Sequence, residues 1–362
     1  MSKIVVNRQK LVDKLRQIEP ALGGTDLVEQ FGFFQFLGSY ITAMDGIMFI
    51  RTDYGEELGL DCSLPGKPLL DLLARLTEDT VTLEKRNRVV KGEKRLSMRV
   101  LTDKVEGEFA LFDPGELADL PEVTAENCVV VADTGFLDGL SFARLCVSKD
   151  KSSVYSGINL QFDRIFATDR VRLARYIMEK PLFDKDSNIS AVVPLKFATA
   201  LCGLRSMIYG VRLISESLIG ACLDDGTVIV SALLPYVYDD VSYVFDGGYE
   251  FVTVDFGEKI SDMLDRHLTF AKNQKLNDKE LLVELKSKEH ETVCHFTTSI
   301  PELGNLSESL LLDVKLTETF SFRVNPVFLK HIVTQCTSFQ YCPVQQVILF
   351  STGNLSYLVK PK

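Results

Sequence analysis

Short Val-rich runs hand over to amphipathic stretches along this chain, and the handover recurs. It occurs in Lys3–Ile18, Cys128–Val147 and Tyr249–Phe270. Leu11, Leu15 and Ile18 form the first apolar stripe. Phe136, Leu140, Ala143 and Val147 form the second, and Ile260, Met263, Leu264 and Ala271 the third. Steps of three or four residues put each stripe on one face of a helix. A second strand–helix unit follows each first one, at 60–76, 189–204 and 320–333. Each has proline at or near the helix start, where the missing N–H costs nothing, and Asn325 is placed to cap the last helix. Thr80–Leu83, Val211–Ile214, Cys222–Leu234 and Gln346–Val359 read as strands, with a hairpin turn at Asp224-Asp225-Gly226. The order repeats with a period of about 125 residues. The pattern therefore predicts an α+β protein of three similar domains, each with two helices and several strands. Their spans are 1–122, 123–246 and 247–362, with linkers at Pro114–Asn127 and Asp246–Gly248.

The stretch Val154–Tyr176 reads as two strands and their turns. Tyr155, Ile158, Leu160 and Phe162 favour a strand. Asp163-Arg164 interrupts, Ile165-Phe166-Ala167 resumes, and Thr168-Asp169 turns the chain again. On pattern alone this is a meander in an all-β or α+β domain.

Composition narrows the class. The 362 residues are too many for one ordinary core. A hydrophobic share of 46% and a charged share of 25% are those of a globular protein. The net charge of -10 argues against nucleic acid by the usual rule, but only the distribution of charge over a binding face decides that. The eight cysteines form no CxxC pair and have no zinc-ligand spacing to a histidine. They read as buried thiols in a reducing, cytoplasmic setting. No signal peptide, transmembrane span or cofactor motif is read. Of the four histidines, His267, His290, His295 and His331, two sit on predicted helices. Cys294 and His295 are adjacent on a predicted strand, so they point to opposite faces, which is poor geometry for a nucleophile and its base. No phosphate-binding loop, GxSxG or HExxH is present. The chain reads as no enzyme, without metal or cofactor.

The wording of the central stretch is more specific than its pattern. Ser156-Gly157, Ala167-Thr168-Asp169 and Arg172-Leu173-Ala174 resemble the middle domain of the bacterial β sliding clamp, the DNA polymerase III beta subunit family. The opening residues 3–24 with Gly23-Gly24, the stretch 231–245 and the ending LSYLVKPK resemble other clamp segments in the same order. The resemblance implies a ring-forming clamp fold, a homodimer that encircles duplex DNA without reading its sequence, and a processivity role. Its partners would be a DNA polymerase, a clamp loader and short clamp-binding peptides.

Residue by residue, the resemblance implies a weakly basic inner wall built from two helices per domain. Its candidates are Arg8, Lys10, Lys14, Arg16, Lys67 and Arg75 in the first domain. Arg144, Lys149, Lys151, Lys196 and Arg205 follow in the second, and Lys259, Arg266, Lys272 and Lys330 in the third. Such a lining attracts phosphate and leaves the duplex free to slide. The implied peptide groove comprises Tyr155, Thr168, Arg170, Val171, Arg172, Leu173, Val244, Leu358, Val359 and Pro361. Ring closure would use Leu96, Met98 and Val100 on one side and Leu268 and Leu276 on the other. Departures cluster at the groove. The family's Gly-His is Arg170-Val171 here, its Phe-Pro-Asp-Tyr is Tyr238-Asp239-Asp240-Val241, and its Met-rich ending is Lys360-Pro361-Lys362. An altered peptide preference follows, of the kind a partner from one virus or mobile element would select. A clamp-fold adaptor or decoy that no longer tethers polymerase stays open as the alternative. A two-domain trimeric clamp fits three repeats in one chain less well.

Overall fold

The computed structural model describes residues 3–24, 29–90, 93–114, 122–131, 134–183, 189–204, 207–245, 247–257, 260–275, 279–287, 291–312, 316, 319–336 and 338–361. Six α-helices lie among them: α1 (Arg8–Ile18), α2 (Gly66–Arg75), α3 (Phe136–Ala143), α4 (Leu195–Gly203), α5 (Ile260–Phe270) and α6 (Pro326–Val333). The expected stripes bury Leu11, Leu15 and Ile18 on α1 and Ile260, Met263 and Leu264 on α5. None of these helices is long and apolar enough to cross a membrane. The strand pairs among the described residues are antiparallel. The chain separates into two compact units, Met1–Leu137 with Ala191–Pro235, and Asp138–Ser190 with Tyr236–Lys362.

In the first unit, Asn7 ends strand Lys3–Asn7 and caps α1, its side chain accepting from the Lys10 N–H at 2.9 Å. Arg8 then ties α1 to the end of α2. Its guanidinium donates to the carbonyls of Glu78 at 2.7 Å and Leu73 at 3.3 Å. A four-stranded sheet runs in the order Lys3–Asn7, Thr80–Val90, Glu93–Leu101, Glu106–Ala110. An eight-stranded sheet runs Cys62–Pro65, Phe33–Leu37, Tyr40–Met44, Met48–Asp53, Val228–Ala232, Leu218–Leu223, Ile208–Ser215, Val129–Val130. At its centre Met48–Asp53 pairs with Val228–Ala232, and Ala232 N–H extends the ladder to the Ile47 carbonyl at 2.8 Å. The predicted hairpin at Asp224–Gly226 forms, with Gly226 at φ 79°.

The second unit repeats this plan. Its four-stranded sheet runs Gly304–Leu312, Thr292–Ile300, Leu281–Ser287, Phe320–Val324. Its long sheet contains, in order, Gly157–Leu160, Arg164–Thr168, Arg172–Ile177, Leu355–Val359, Val347–Thr352, Ser338–Cys342 and Val252–Asp255. The central pair is Arg172–Ile177 with Leu355–Val359, and Lys360 N–H extends it to the Val171 carbonyl at 2.8 Å. Packed rings fill the core: Phe339 lies 4.6 Å from Phe256 and 5.8 Å from Phe350. Asn325 caps α6, accepting from Val327 N–H at 2.9 Å as the sequence predicts.

Two readings change. Val154–Tyr176 holds three strands, not two; Arg172–Ile177 is the third, and Tyr155 lies in the turns before the first. The strand before α3 shrinks to Val129–Val130.

A polar seam fastens α1 to its sheet. Buried Thr227 donates to Thr52 at 2.8 Å, Thr52 to Gln17 at 3.1 Å, and Gln17 to Asp225 at 3.0 Å. Lys14 meets the same carboxylate at 2.7 Å. Burial would raise the Asp225 carboxyl, but the hydrogen bonds from Lys14, Gln17 and Thr227 overcome it and hold it at about 2. A carboxyl depressed by folding contributes stability that is full above its ordinary value of about 3.9 and is lost as pH falls through its folded value. Asp225→Asn should therefore cost about 1 kcal/mol at neutral pH, discounted for partial exposure. Urea unfolding at a series of pH values should show that deficit shrinking as pH falls toward the folded value of about 2 and vanishing below it.

Candidate functional site

Thr168 and Arg172 bracket a tight turn in the second unit, and Asp169 organises it. Its Oδ1 accepts from the backbone N–H groups of Val171 at 3.1 Å and Arg172 at 2.7 Å. Its Oδ2 accepts from the Arg172 guanidinium at 2.9 and 2.7 Å. Arg172 is only 7% exposed, and its guanidinium lies 3.9 Å from the centre of the Phe328 ring. Thr168 Oγ donates to the Arg172 carbonyl at 2.6 Å and accepts from Arg170 N–H at 3.0 Å.

Beside this turn is a cleft of about 370 Å³. Val147, Ser148, Lys149 and Asp150 line it from the loop after α3. Asp169, Val171 and Arg172 line it from the turn. Arg323 and Val324 come from the end of the strand Phe320–Val324, Asn325 and Phe328 from the cap and first turn of α6, and Val359 and Lys360 from the end of the last strand and the residue after it. The floor is apolar and the rim carries cations. The reactive groups nearby are held inert. Burial pushes the Cys146 thiol up to about 12 against the pull of Arg172. Burial, helped by the Arg172 charge, lowers the His331 pKa. A buried thiol held protonated in this way is a packing group, and the cleft beside it has the shape and lining to hold a ligand.

Of the groove residues expected from the sequence, Val171, Arg172 and Val359 line this cleft. Thr168, Leu173 and Leu358 are buried in the sheet. Tyr155 and Arg170 form a separate cluster. The Arg170 guanidinium lies 5.4 Å from the Tyr155 ring, whose hydroxyl donates to Asp239. Tyr155 also packs edge-on to Tyr238 at 5.3 Å, and the Tyr238 hydroxyl accepts from Thr168 N–H at 2.9 Å. Arg170 has φ 72°, the left-handed region that favours glycine. Val244, in the turn Ser242–Val244, and Pro361 are half-buried and do not line the cleft. Sequence reasoning missed Val147, Val324 and Phe328. Phe328 carried a signal: it is an apolar residue off the stripe that Leu329, Ile332 and Val333 already fill.

The first unit has the same turn with a different occupant. Asp45 Oδ1 accepts from Ile47 and Met48 N–H at 2.9 and 2.7 Å. Here Lys196, from α4, reaches the aspartate and donates to the Leu22 carbonyl at 3.3 Å. The lysine bridges what in the second unit is an open cleft.

The expected basic residues fall into two groups. Arg8 is spent on backbone carbonyls. Lys14 is held by Asp225, Lys196 by Asp45, Arg266 by Glu308 and Lys330 by Asp265. Lys10 lies 4.2 Å from the Tyr54 ring and 3.7 Å from Glu56. Lys67 stands exposed, 3.8 Å from Glu19, and Arg16, Arg75 and Lys272 are exposed too. Arg144 is half-buried and donates to the Ser141 carbonyl at 3.2 Å, while Lys149 and Lys151 are exposed in the loop beyond α3. Arg205 and Lys259 lie outside the described residues, as do Leu276 and His290. Met98 and Val100, at 0% and 1% exposure, pack into their own unit's core, whereas Leu96 is exposed and Leu268 half-buried. His267 is a core residue on α5, bonded through Nδ1 to Thr298 Oγ at 2.8 Å.

No protein-family model matches the sequence, and no curated protein does. Solved structures do match. The DNA polymerase sliding clamp of Bacillus subtilis is 17% identical, with a TM-score of 0.77 over 99% of this chain and 98% of that one. The Helicobacter pylori beta clamp bound to a DNA ligase peptide is 16% identical, with a TM-score of 0.75 over 100% of both. The Bartonella birtlesii DnaN sliding clamp bound to griselimycin is 16% identical, with a TM-score of 0.80 over 99% of both. The chain thus has the α+β fold of the bacterial β sliding clamps over its whole length.

Removing Asp169 would leave a buried guanidinium without its counter-charge. Asp169→Ala should lower unfolding free energy by about 3 kcal/mol. Asp169→Ala with Arg172→Met removes both charges and should recover the share of that loss owed to the unpaired guanidinium but not the share owed to the two lost backbone hydrogen bonds, which a double-mutant cycle in urea would measure.

Proposed function

We propose that this protein is a DNA sliding clamp, a processivity factor that encircles duplex DNA and tethers a replicative DNA polymerase. The observation that carries this reading is agreement of fold across the full length of both chains, at TM-scores of 0.75 to 0.80. The role is non-catalytic and needs no cofactor. Helices α1 and α2 fall in residues 1–122, α3 and α4 in 123–246, and α5 and α6 in 247–362, which supports those spans as three domains.

A clamp must close. Among the described residues, each four-stranded sheet ends in a strand with one unpaired edge, Glu106–Ala110 in the first unit and Gly304–Leu312 in the second. Edges of this kind pair with another chain unless covered, so a head-to-tail homodimer closes two such contacts. A clamp must also hold DNA without reading it. Exposed Arg16, Lys67, Arg75, Lys151 and Lys272 are available to phosphate. Finally, it must carry partners. The Helicobacter pylori clamp holds a DNA ligase peptide, and the cleft beside Phe328 is our candidate for peptides from polymerase, clamp loader and repair proteins.

One observation favours a second reading, a clamp-fold adaptor that no longer tethers polymerase. Lys14, Lys196, Arg266 and Lys330 already hold carboxylates, which weakens the positive lining.

Light scattering should give a native mass about twice that of the 40.5 kDa chain. The ring should then stay on nicked circular DNA through gel filtration and leave once the circle is cut. A monomer that binds neither form would put the adaptor first.

A further inference from the structure

We infer that the cleft of the second unit selects an acidic peptide segment, with an apolar side chain against Phe328 and Val359 and carboxylates beside it on Lys149, Arg323 and Lys360. The inference rests on the reading of this cleft as a peptide site and adds the chemistry of its ligand.

Charge complementarity carries it. The whole chain has a net charge of -10, yet the cleft is lined by four cations, Lys149, Arg172, Arg323 and Lys360, against two carboxylates, Asp150 and Asp169. Arg172 and Asp169 cancel each other through their buried contacts at 2.9 and 2.7 Å. Asp150 is turned into its own loop, where its Oδ1 accepts from Ser152 N–H at 3.0 Å and Ser152 Oγ at 2.7 Å. Arg323 faces Glu280 at 3.6 Å, with side chains 54% and 38% exposed. A pair that loose and wet holds its arginine weakly, so the arginine can turn to a ligand. Lys149 and Lys360 stand exposed at the rim. The cations sit around an apolar floor, so a bare anion would leave that floor wet. A bare apolar peptide would leave the rim unused. A segment carrying both satisfies the two together.

The test uses the full chain and three fluorescein-labelled nonapeptides with the same Leu-Leu-Phe core, flanked by glutamates, glutamines or lysines. Anisotropy titrations should show the glutamate form binding about tenfold tighter than the glutamine form, with the lysine form weakest. The ratio should shrink as salt is added. Lys149→Glu with Lys360→Glu should invert the order, and Phe328→Ala should weaken all three alike. Equal binding of the glutamate and glutamine peptides to the wild type overturns the acidic preference and leaves the peptide site standing. So does a ratio unmoved by the double charge reversal. If none of the three binds, or Phe328→Ala changes nothing, the cleft reading falls and the preference falls with it.

Discussion

The rest of the structure depends on two strand pairings between segments far apart in the chain. Met48–Asp53 joins Val228–Ala232, and Arg172–Ile177 joins Leu355–Val359. A strand left at an open edge presents a row of backbone N–H and C=O groups that must find partners. Here the edge of one sequence repeat is covered by a strand of the next, and each union makes one continuous sheet. This is why the compact units cut across the repeats. The first unit takes Ala191–Pro235 from the middle of the chain, and the second takes Asp138–Ser190. Packing follows the ladders rather than the order of the chain. It also makes the fold rich in non-local contacts, which slows folding relative to a helical protein of similar stability.

Each pairing begins beside an aspartate-centred turn, and the two turns have been put to different uses. Asp45 and Asp169 both fix their turns by accepting two backbone N–H groups. Each needs a cation for its second oxygen, because a part-buried carboxylate without one is costly. Asp45 takes Lys196 from a neighbouring helix, and the lysine also spans to the Leu22 carbonyl. Asp169 takes Arg172 from its own turn, which frees the helix side of the turn. Phe328 stands there instead, face to face with the guanidinium. The choice of cation thus decides which turn is bridged and which opens onto a cleft.

Much of the fold was legible because it is local. Helix stripes, the Asn325 cap and the hairpin at Gly226 depend on residues a few positions apart. The third strand of the central stretch was not legible. Arg172 and Arg175 break its apolar pattern, and only the Asp169 contact and the pairing with Leu355–Val359 make Arg172 a buried strand residue. The division into two units was invisible for the same reason, since it is written in pairings between distant segments. The cleft was half legible. Val171, Arg172 and Val359 came from wording shared with a known family, whereas Val147 comes from the loop after α3 and Phe328 from the first turn of α6, which only the fold brings together. Met98 and Val100 show the limit of alternation: the period places them on one face, but not whether that face meets solvent or core.

Net charge is the least informative number in the sequence, and the ion pairs explain why. A sum of -10 treats Lys14, Lys196, Arg266 and Lys330 as equal to Arg16 or Arg75. The first four already face carboxylates, so their fields are largely cancelled at short range, while the other two stand exposed. The strength of any hold on phosphate depends on the cations left over, since each released counterion adds to binding only where a cation is free to replace it. The same arithmetic, applied to the cleft, gives the opposite sign: pairing Arg172 with Asp169 leaves the remaining cations in the majority. An acidic chain can in this way present locally positive surfaces, provided its carboxylates are spent on the right partners.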